Sequence, residues 1–164
     1  MTEQSKIIKK ISLHPKYLGS ELKKYLFEKI KSVYYNKCSQ RYGYILKIEP
    51  EIQILDNILY STTTSIVFSV EIVIKHIKPI EGLIIEVKVL QVLNAGILAE
   101  MFDVMKIFIP KTNIDKLEFD KNKKSFSDDK VDIINGDKIE IKLIKIRYEN
   151  SSYNCIGNFI RKLK

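Results

Sequence analysis

The sequence predicts two consecutive domains, an α+β half built as a small antiparallel sheet with one helix, followed by an all-β half that closes as a small barrel. Three observations predict this. Apolar residues recur with helical spacing in one place only, between residues 20 and 33. Residues 66–74 alternate strictly between apolar and polar, the period of a half-buried strand. After Pro79–Gly82 the chain reads almost entirely as strands, so the boundary falls there, with domains at 1–79 and 80–164.

In the first half, 7–13 is an apolar run long enough for a strand, and His14-Pro15 breaks it because proline removes the ladder donor and restrains its predecessor. Ser20 is placed to cap a helix over 20–32, in which Leu22, Tyr25, Leu26, Ile30 and Val33 share a face. A short strand is expected at 33–37 and another at 44–48, opened by Gly43. Pro50 interrupts, Ile52 and Ile54 alternate with polar neighbours, and 60–65 is a hydroxyl-rich loop. The strand over 66–77 carries Val67, Val73 and Ile77 on its otherwise polar face. That two-sided apolar character suggests burial beyond its own domain, against the second half or against a partner.

In the second half, Leu83, Ile85, Val87 and Val89 alternate with Ile84, Glu86, Lys88 and Leu90. Asn94-Ala95-Gly96 is a turn signal, strands follow at 97–101 and 106–109, and 111–130 is a long charged loop with one helical turn. Asn135-Gly136-Asp137 is a tight turn. Ile139, Ile141 and Leu143 share a face, but Ile144, Ile146 and Tyr148 continue one residue out of step, which a bulge near Leu143 explains. A last strand covers 153–160. Five strands with a long connection between the third and fourth is the plan of an OB-fold barrel.

Composition bounds the function. The 164 residues carry a net charge of +8, with 28 isoleucines and 25 lysines against three arginines. Residues 1–79 hold 13 Lys/Arg against 7 Asp/Glu, and 80–164 hold 15 against 13, so the basic excess sits in the first half. A basic chain suggests a polyanionic partner, nucleic acid first, although an AT-rich genome would coat a surface with lysine for no chemical reason. No apolar run reaches the roughly 18 residues of a membrane helix, and the polar start has no signal core. Cys38 and Cys155 are two unrelated thiols rather than a disulfide framework. With His14 and His76 they show no metal-ligand spacing, so no metal and no cofactor are expected. A nucleophile elbow, a phosphate loop and a His-Glu-x-x-His helix are absent, and Asp128, Asp129 and Asp132 lie in a lysine-rich stretch as solvated charge, so no catalytic residue is expected either.

The run Ile11-Ser12-Leu13-His14-Pro15-Lys16-Tyr17-Leu18-Gly19, with Arg41-Tyr42-Gly43-Tyr44 downstream, resembles the amino-terminal domain of the seventh subunit of RNA polymerase II and its archaeal homologue. Gly82, Asn94-Ala95-Gly96-Ile97-Leu98, Gly136-Asp137 and Cys155-Ile156-Gly157 are similar to the S1-type OB domain that follows in that family. The resemblance spans about residues 5–160. It implies a non-catalytic stalk subunit of a DNA-dependent RNA polymerase, which docks on the core beside the RNA exit channel, supports initiation by helping to keep the clamp closed, and contacts nascent single-stranded RNA weakly. It implies a small helical partner subunit packed across both domains. The implied compartment is the nucleus, or a virion or cytoplasmic viral factory for a viral member, toward which the Ile/Lys bias leans. The rival from the residues is a free-standing S1-type RNA-binding or translation-related protein, which would lack the first domain.

The resemblance assigns polymerase-core docking to Tyr42, Gly43, Tyr44, Asp56, Asn57 and Tyr60. Residues 55–64, matching the family's glycine-rich tip, contain no glycine. The OB plan puts RNA on Phe102, Lys106, Phe108 and Lys111 around the third strand and on Arg147, Tyr148 and Tyr153 near the last hairpin, aromatics for stacking and cations for phosphate. Phe108 sits between Ile107 and Ile109. If the isoleucines face inward it is exposed and can stack, and if they do not it is core. Leu98 stands where the family often has an aromatic.

Overall fold

The computed structural model describes residues 2–60, 62–115 and 117–164. Ser61, in the expected hydroxyl-rich loop, and Lys116, in the expected long connection, lie outside them, as does Met1. The chain divides into two compact units, Met1–Lys78 and Pro79–Lys164.

Unit 1 contains β1 (Glu3–Leu13), α1 (Leu22–Tyr34), β2 (Cys38–Ser39), β3 (Gly43–Ile48), β4 (Gln53–Leu59) and β5 (Ile66–Ile77). The sheet order is β1-β5-β3-β2, and β4 also pairs with β5. β3 and β4 follow one another along one edge of β5, at 74–77 and 66–71, while β1 runs the length of the other edge. All pairings are antiparallel. Ile7 and Ile11 of β1, Phe68, Val70, Ile72 and Ile74 of β5, and Ile45 and Ile48 of β3 form a single buried cluster with Leu26 and Ile30 of α1. On the opposite parity Ile8 is exposed.

Local expectations change at three points. Ser20 does not cap α1. The first helical N–H, at Leu22, is satisfied by the Gly19 carbonyl at 3.2 Å, and Glu21 precedes the helix without a side-chain cap bond. The backbone turn thus supplies what a hydroxyl would have supplied. The strand expected at 33–37 is instead the end of α1 and its exit. Tyr35 N–H still bonds to Lys31 O at 3.0 Å, and Asn36 then turns the chain at φ 55°, a conformation asparagine tolerates. The glycine-free stretch 55–64 is a strand as far as Leu59. The edge of β5 offers a ladder, and a register shift between Ile54 and Asp56 absorbs the poor strand formers.

Unit 2 contains β6 (Ile84–Leu93), β7 (Gly96–Met101), β8 (Met105–Pro110), β9 (Glu118–Asp120), β10 (Ser125–Ser127), β11 (Asp132–Ile133), β12 (Lys138–Glu149) and β13 (Ser152–Lys162). β6, β7, β8, β13 and β12 close a barrel in that cyclic order, antiparallel except for β13 beside β8. This is the OB plan. Its interior is filled by Ile85, Val87, Ile97, Ala99, Ile107, Ile109, Ile139, Ile141 and Leu143, all nearly inaccessible. The register of β12 on β13 shifts between Leu143 and Lys145, the bulge that the phase slip requires.

The connection 111–130 is more ordered than its charge suggests. A 3₁₀ turn at Lys111–Asn113 leads to a three-stranded sheet of order β11-β10-β9. Phe126 is fully buried, with its ring 5.4 Å from that of Phe119. Asp120 accepts the N–H groups of Asn122 and Lys123, and Asp128 those of Lys130 and Val131. These carboxylates build turns, so Asp128 is a structural acceptor rather than only solvated charge.

Candidate nucleic-acid and docking surfaces

Outward residues of a barrel follow from strand parity. Ile107 and Ile109 point inward, which places Phe108 on the outer face, half-buried. Leu98 lies across from it on β7 and Ile156 on β13. A Cβ on Gly96 would come within 3.0 Å of the tip of the Phe108 ring and 2.1 Å of the Ile109 carbonyl, so glycine there lets ring and backbone approach. Around Phe108 opens a cavity of about 420 Å³, lined also by Lys106, Lys145, Arg147 and Asn154. An aromatic floor with three cations at its rim suits a stacked base and its flanking phosphates. Glu149, whose carboxylate lies 3.6 Å from Arg147, tempers that charge.

The structure therefore brings together Lys106, Phe108 and Arg147 of the seven expected RNA contacts. Phe102 is exposed but occupies the β7–β8 turn with φ 54°, beside a separate cavity containing Glu86, Lys88 and Lys138. Lys111 follows the far end of β8, its N–H bonded to Ala95 O at 2.9 Å. Tyr153 is a correction. The parity that places Cys155 in the barrel also turns Tyr153 inward, where it is buried and cannot receive a base. Tyr148 is half-buried, its ring 5.0 Å from that of Tyr153, so it packs rather than projects. Sequence reasoning missed Lys145, Asn154 and Ile156. Only the register of β12, β13 and β8 aligns them with Phe108.

In unit 1, Asp56, Asn57 and Tyr60 are exposed. The Asp56 carboxylate accepts the Asn57 N–H at 2.7 Å. Beside them are Leu55, Ile58 and Leu59, the last 68% exposed, an apolar end of the β4–β5 hairpin that was not singled out from the sequence. The run Tyr42-Gly43-Tyr44 behaves differently. Tyr42 is half-buried, with the Arg41 guanidinium 5.2 Å from its ring and His76 edge-on at 5.5 Å. Gly43 is buried at φ 72°, and a Cβ there would lie 2.1 Å from Ile77 O. Tyr44 is buried as well. For Tyr44 and Gly43 the docking assignment is corrected, because neither presents a side chain to a partner. The buried His76 receives the Ser5 hydroxyl at Nε2, 2.9 Å, and donates from Nδ1 to Tyr42 O, 2.7 Å, which places it as a structural link rather than a ligand. Among the described residues no three His, Cys, Asp or Glu side chains converge as metal ligands.

Burial pushes the Cys38 thiol from its ordinary 9.0 up to about 11, partly offset by a hydrogen bond from Tyr44. The folded value lies above the unfolded one, so the preference for the folded state is complete below about pH 9 and is lost as pH rises through 11. Alkylation of the native chain at pH 8 should consequently run about 100-fold slower than that of a free cysteine and accelerate about tenfold per pH unit. A plateau near pH 9 in the rate profile would contradict this.

Unit 1 is thus a sheet crossed by one helix, and unit 2 a closed five-stranded barrel with a cation-rimmed aromatic on its outer face. Residues 8–56 match the family described as the SHS2 domain found in N terminus of Rpb7p/Rpc25p/MJ0397. Over 151 residues the chain is 29% identical to DNA-directed RNA polymerase II subunit 7 of Arabidopsis thaliana and 28% identical to DNA-directed RNA polymerase II subunit RPB7 of Glycine max, covering 90% of this chain and 85% of each relative. The chain is thus similar to RNA polymerase II subunit 7 along most of its length, and its first unit carries the match to that family's amino-terminal domain.

Proposed function

We propose that this chain is a non-catalytic stalk subunit of a DNA-dependent RNA polymerase, docking through unit 1 and contacting nascent single-stranded RNA through an S1-like barrel. The observation that carries the reading is similarity to RNA polymerase II subunit 7 along 90% of the chain, spanning both units. A free-standing S1 protein would be similar over the barrel alone. The nucleus is the compartment that goes with this assignment.

Docking falls to the β4–β5 end, where Leu55, Ile58, Leu59 and Tyr60 are exposed together with Asp56 and Asn57. Clustered aliphatic side chains on a soluble surface favour a protein partner. The helical partner subunit is assigned to the sheet face opposite α1, where Ile8 is exposed and Val67 and Val73 are only partly covered. RNA falls to the Phe108 cavity, and its role there supports initiation and transcript exit rather than chemistry. The reading is tested by affinity purification of the tagged chain from its source cell. Large polymerase subunits and one small helical protein should co-purify in near-equal amounts, and recovery of ribosomal proteins without polymerase would overturn it.

A further inference from the structure

At the same end of unit 1 as the β4–β5 turn lies a second cavity, of about 590 Å³, formed where β1 gives way to the His14-Pro15-Lys16-Tyr17 turn. Ser65, immediately before β5, closes one side, and Tyr25 and Lys29 of α1 close the other. Leu59 pairs across the hairpin with Ile66, the residue next to Ser65, so the exposed apolar end neighbours this cavity.

Its lining is rich in donors. His14 accepts the Lys16 N–H on Nδ1 at 3.1 Å, so the neutral ring carries its proton on Nε2 and presents it as a donor. The Lys16 ammonium sits 4.9 Å from the centre of the Tyr17 ring, and that ring packs at 4.8 Å on Tyr25, which orders the cation without neutralising it. Lys29 is held by the Ser12 carbonyl, again without a counter-charge. Glu28 is the one carboxylate in the lining. Neither lysine forms an ion pair among the described residues, whereas Lys6, Lys24 and Lys47 of the same unit do.

We propose that this cavity binds carboxylates of an acidic polypeptide segment of the polymerase core, as the polar half of the docking surface whose apolar half is Leu59 and Tyr60. The inference rests on the docking reading above. Two unneutralised ammonium groups, an imidazole N–H and two serine hydroxyls match an oxyanion. The neighbouring aliphatic side chains select a polypeptide over a nucleic acid, because RNA has no aliphatic group to cover Leu59, while a peptide can fill both halves at once.

The test has two arms on the full chain. Hexaglutamate is titrated against ¹⁵N-labelled protein, with hexauridylate as the alternative. Hexaglutamate should move the amides of Lys16, Tyr25 and Lys29 and saturate. No movement, or stronger movement with hexauridylate, overturns the proposal. In the second arm, K16E/K29E should retain about fivefold less polymerase core than the wild-type chain, with K23E/K31E as the charge-matched control and K16Q/K29Q as a milder pair should the reversal disturb folding. Equal retention by K16E/K29E and the control overturns the cavity proposal. If the wild-type chain itself retains no core, the docking reading fails instead, and the titration still decides whether the cavity takes carboxylates.

Discussion

Replacing Gly43 with valine is expected to destabilise unit 1 by about 3 kcal/mol or more, a fall in midpoint of about 12–24 °C for a domain of this size. Two costs coincide at this residue. Its φ of 72° belongs to a region that β-branched residues avoid, and a Cβ would stand 2.1 Å from Ile77 O and 2.7 Å from the Lys78 Cα. Neither neighbour is a flexible side-chain end. The Gly43 backbone opens β3, which pairs with the end of β5 through Tyr44↔Ile77 and Ile45↔His76. Relief of the clash would pull these strands apart and loosen the Tyr42 O to His76 bond. Thermal denaturation followed by far-UV circular dichroism checks it, with Gly82→Ala as a comparison that carries the positive-φ cost (φ 86°) but no clash, since a Cβ there meets nothing within 4 Å. A Gly43→Val midpoint within about 3 °C of wild type would show that the backbone there yields.

Truncation of Phe108 to alanine is expected to weaken binding of a single-stranded oligonucleotide by about 1–3 kcal/mol, roughly 5- to 150-fold, since it removes the one ring on the floor of the barrel cavity. Stability should change far less, because the ring is only half-buried on the outer face. Arg147→Gln should act differently, lowering affinity modestly and reducing the magnitude of the slope of log affinity against log salt by about 0.7. Phe102→Ala and Tyr148→Ala should leave binding near wild type, because Phe102 sits at another cavity and Tyr148 packs on Tyr153. If Phe102→Ala carries the loss instead, RNA runs over the β7–β8 turn and the Phe108 cavity is not its site.

How far the site was legible depended on whether one strand or several define it. Phe108 was caught between two readings by its own neighbours, Ile107 and Ile109. Knowing that β8 has both a β7 and a β13 neighbour resolves it, since the barrel interior can take only one parity. Tyr153 was misread for the related reason that an aromatic near a turn looks exposed until the inward set of β13 is known. In unit 1, Asp56 and Asn57 fall in the stretch 55–64 that the resemblance matches to a tip loop, and their own preferences are those of a turn. Pairing with β5 overrode that preference.

The sequence by itself determined the two-unit division, the single helix, the order of the main strands and the bulge near Leu143, because each is written in the period or interruption of the apolar pattern. It also carried the family resemblance in the His14-Pro15 and Tyr42-Gly43 regions. Only the tertiary structure decided which side chains meet. The small β9–β10–β11 sheet is held by Phe126 and by Asp120 and Asp128 turns rather than by periodicity. The grouping of Lys106, Lys145 and Arg147 around Phe108 depends on closure of the barrel. The meeting of Lys16, Lys29 and Ser65 in one cavity joins residues up to 49 positions apart. Local pattern reports the environment of one strand at a time, whereas a binding surface is made by register between strands, and register is set by the packing of the whole core.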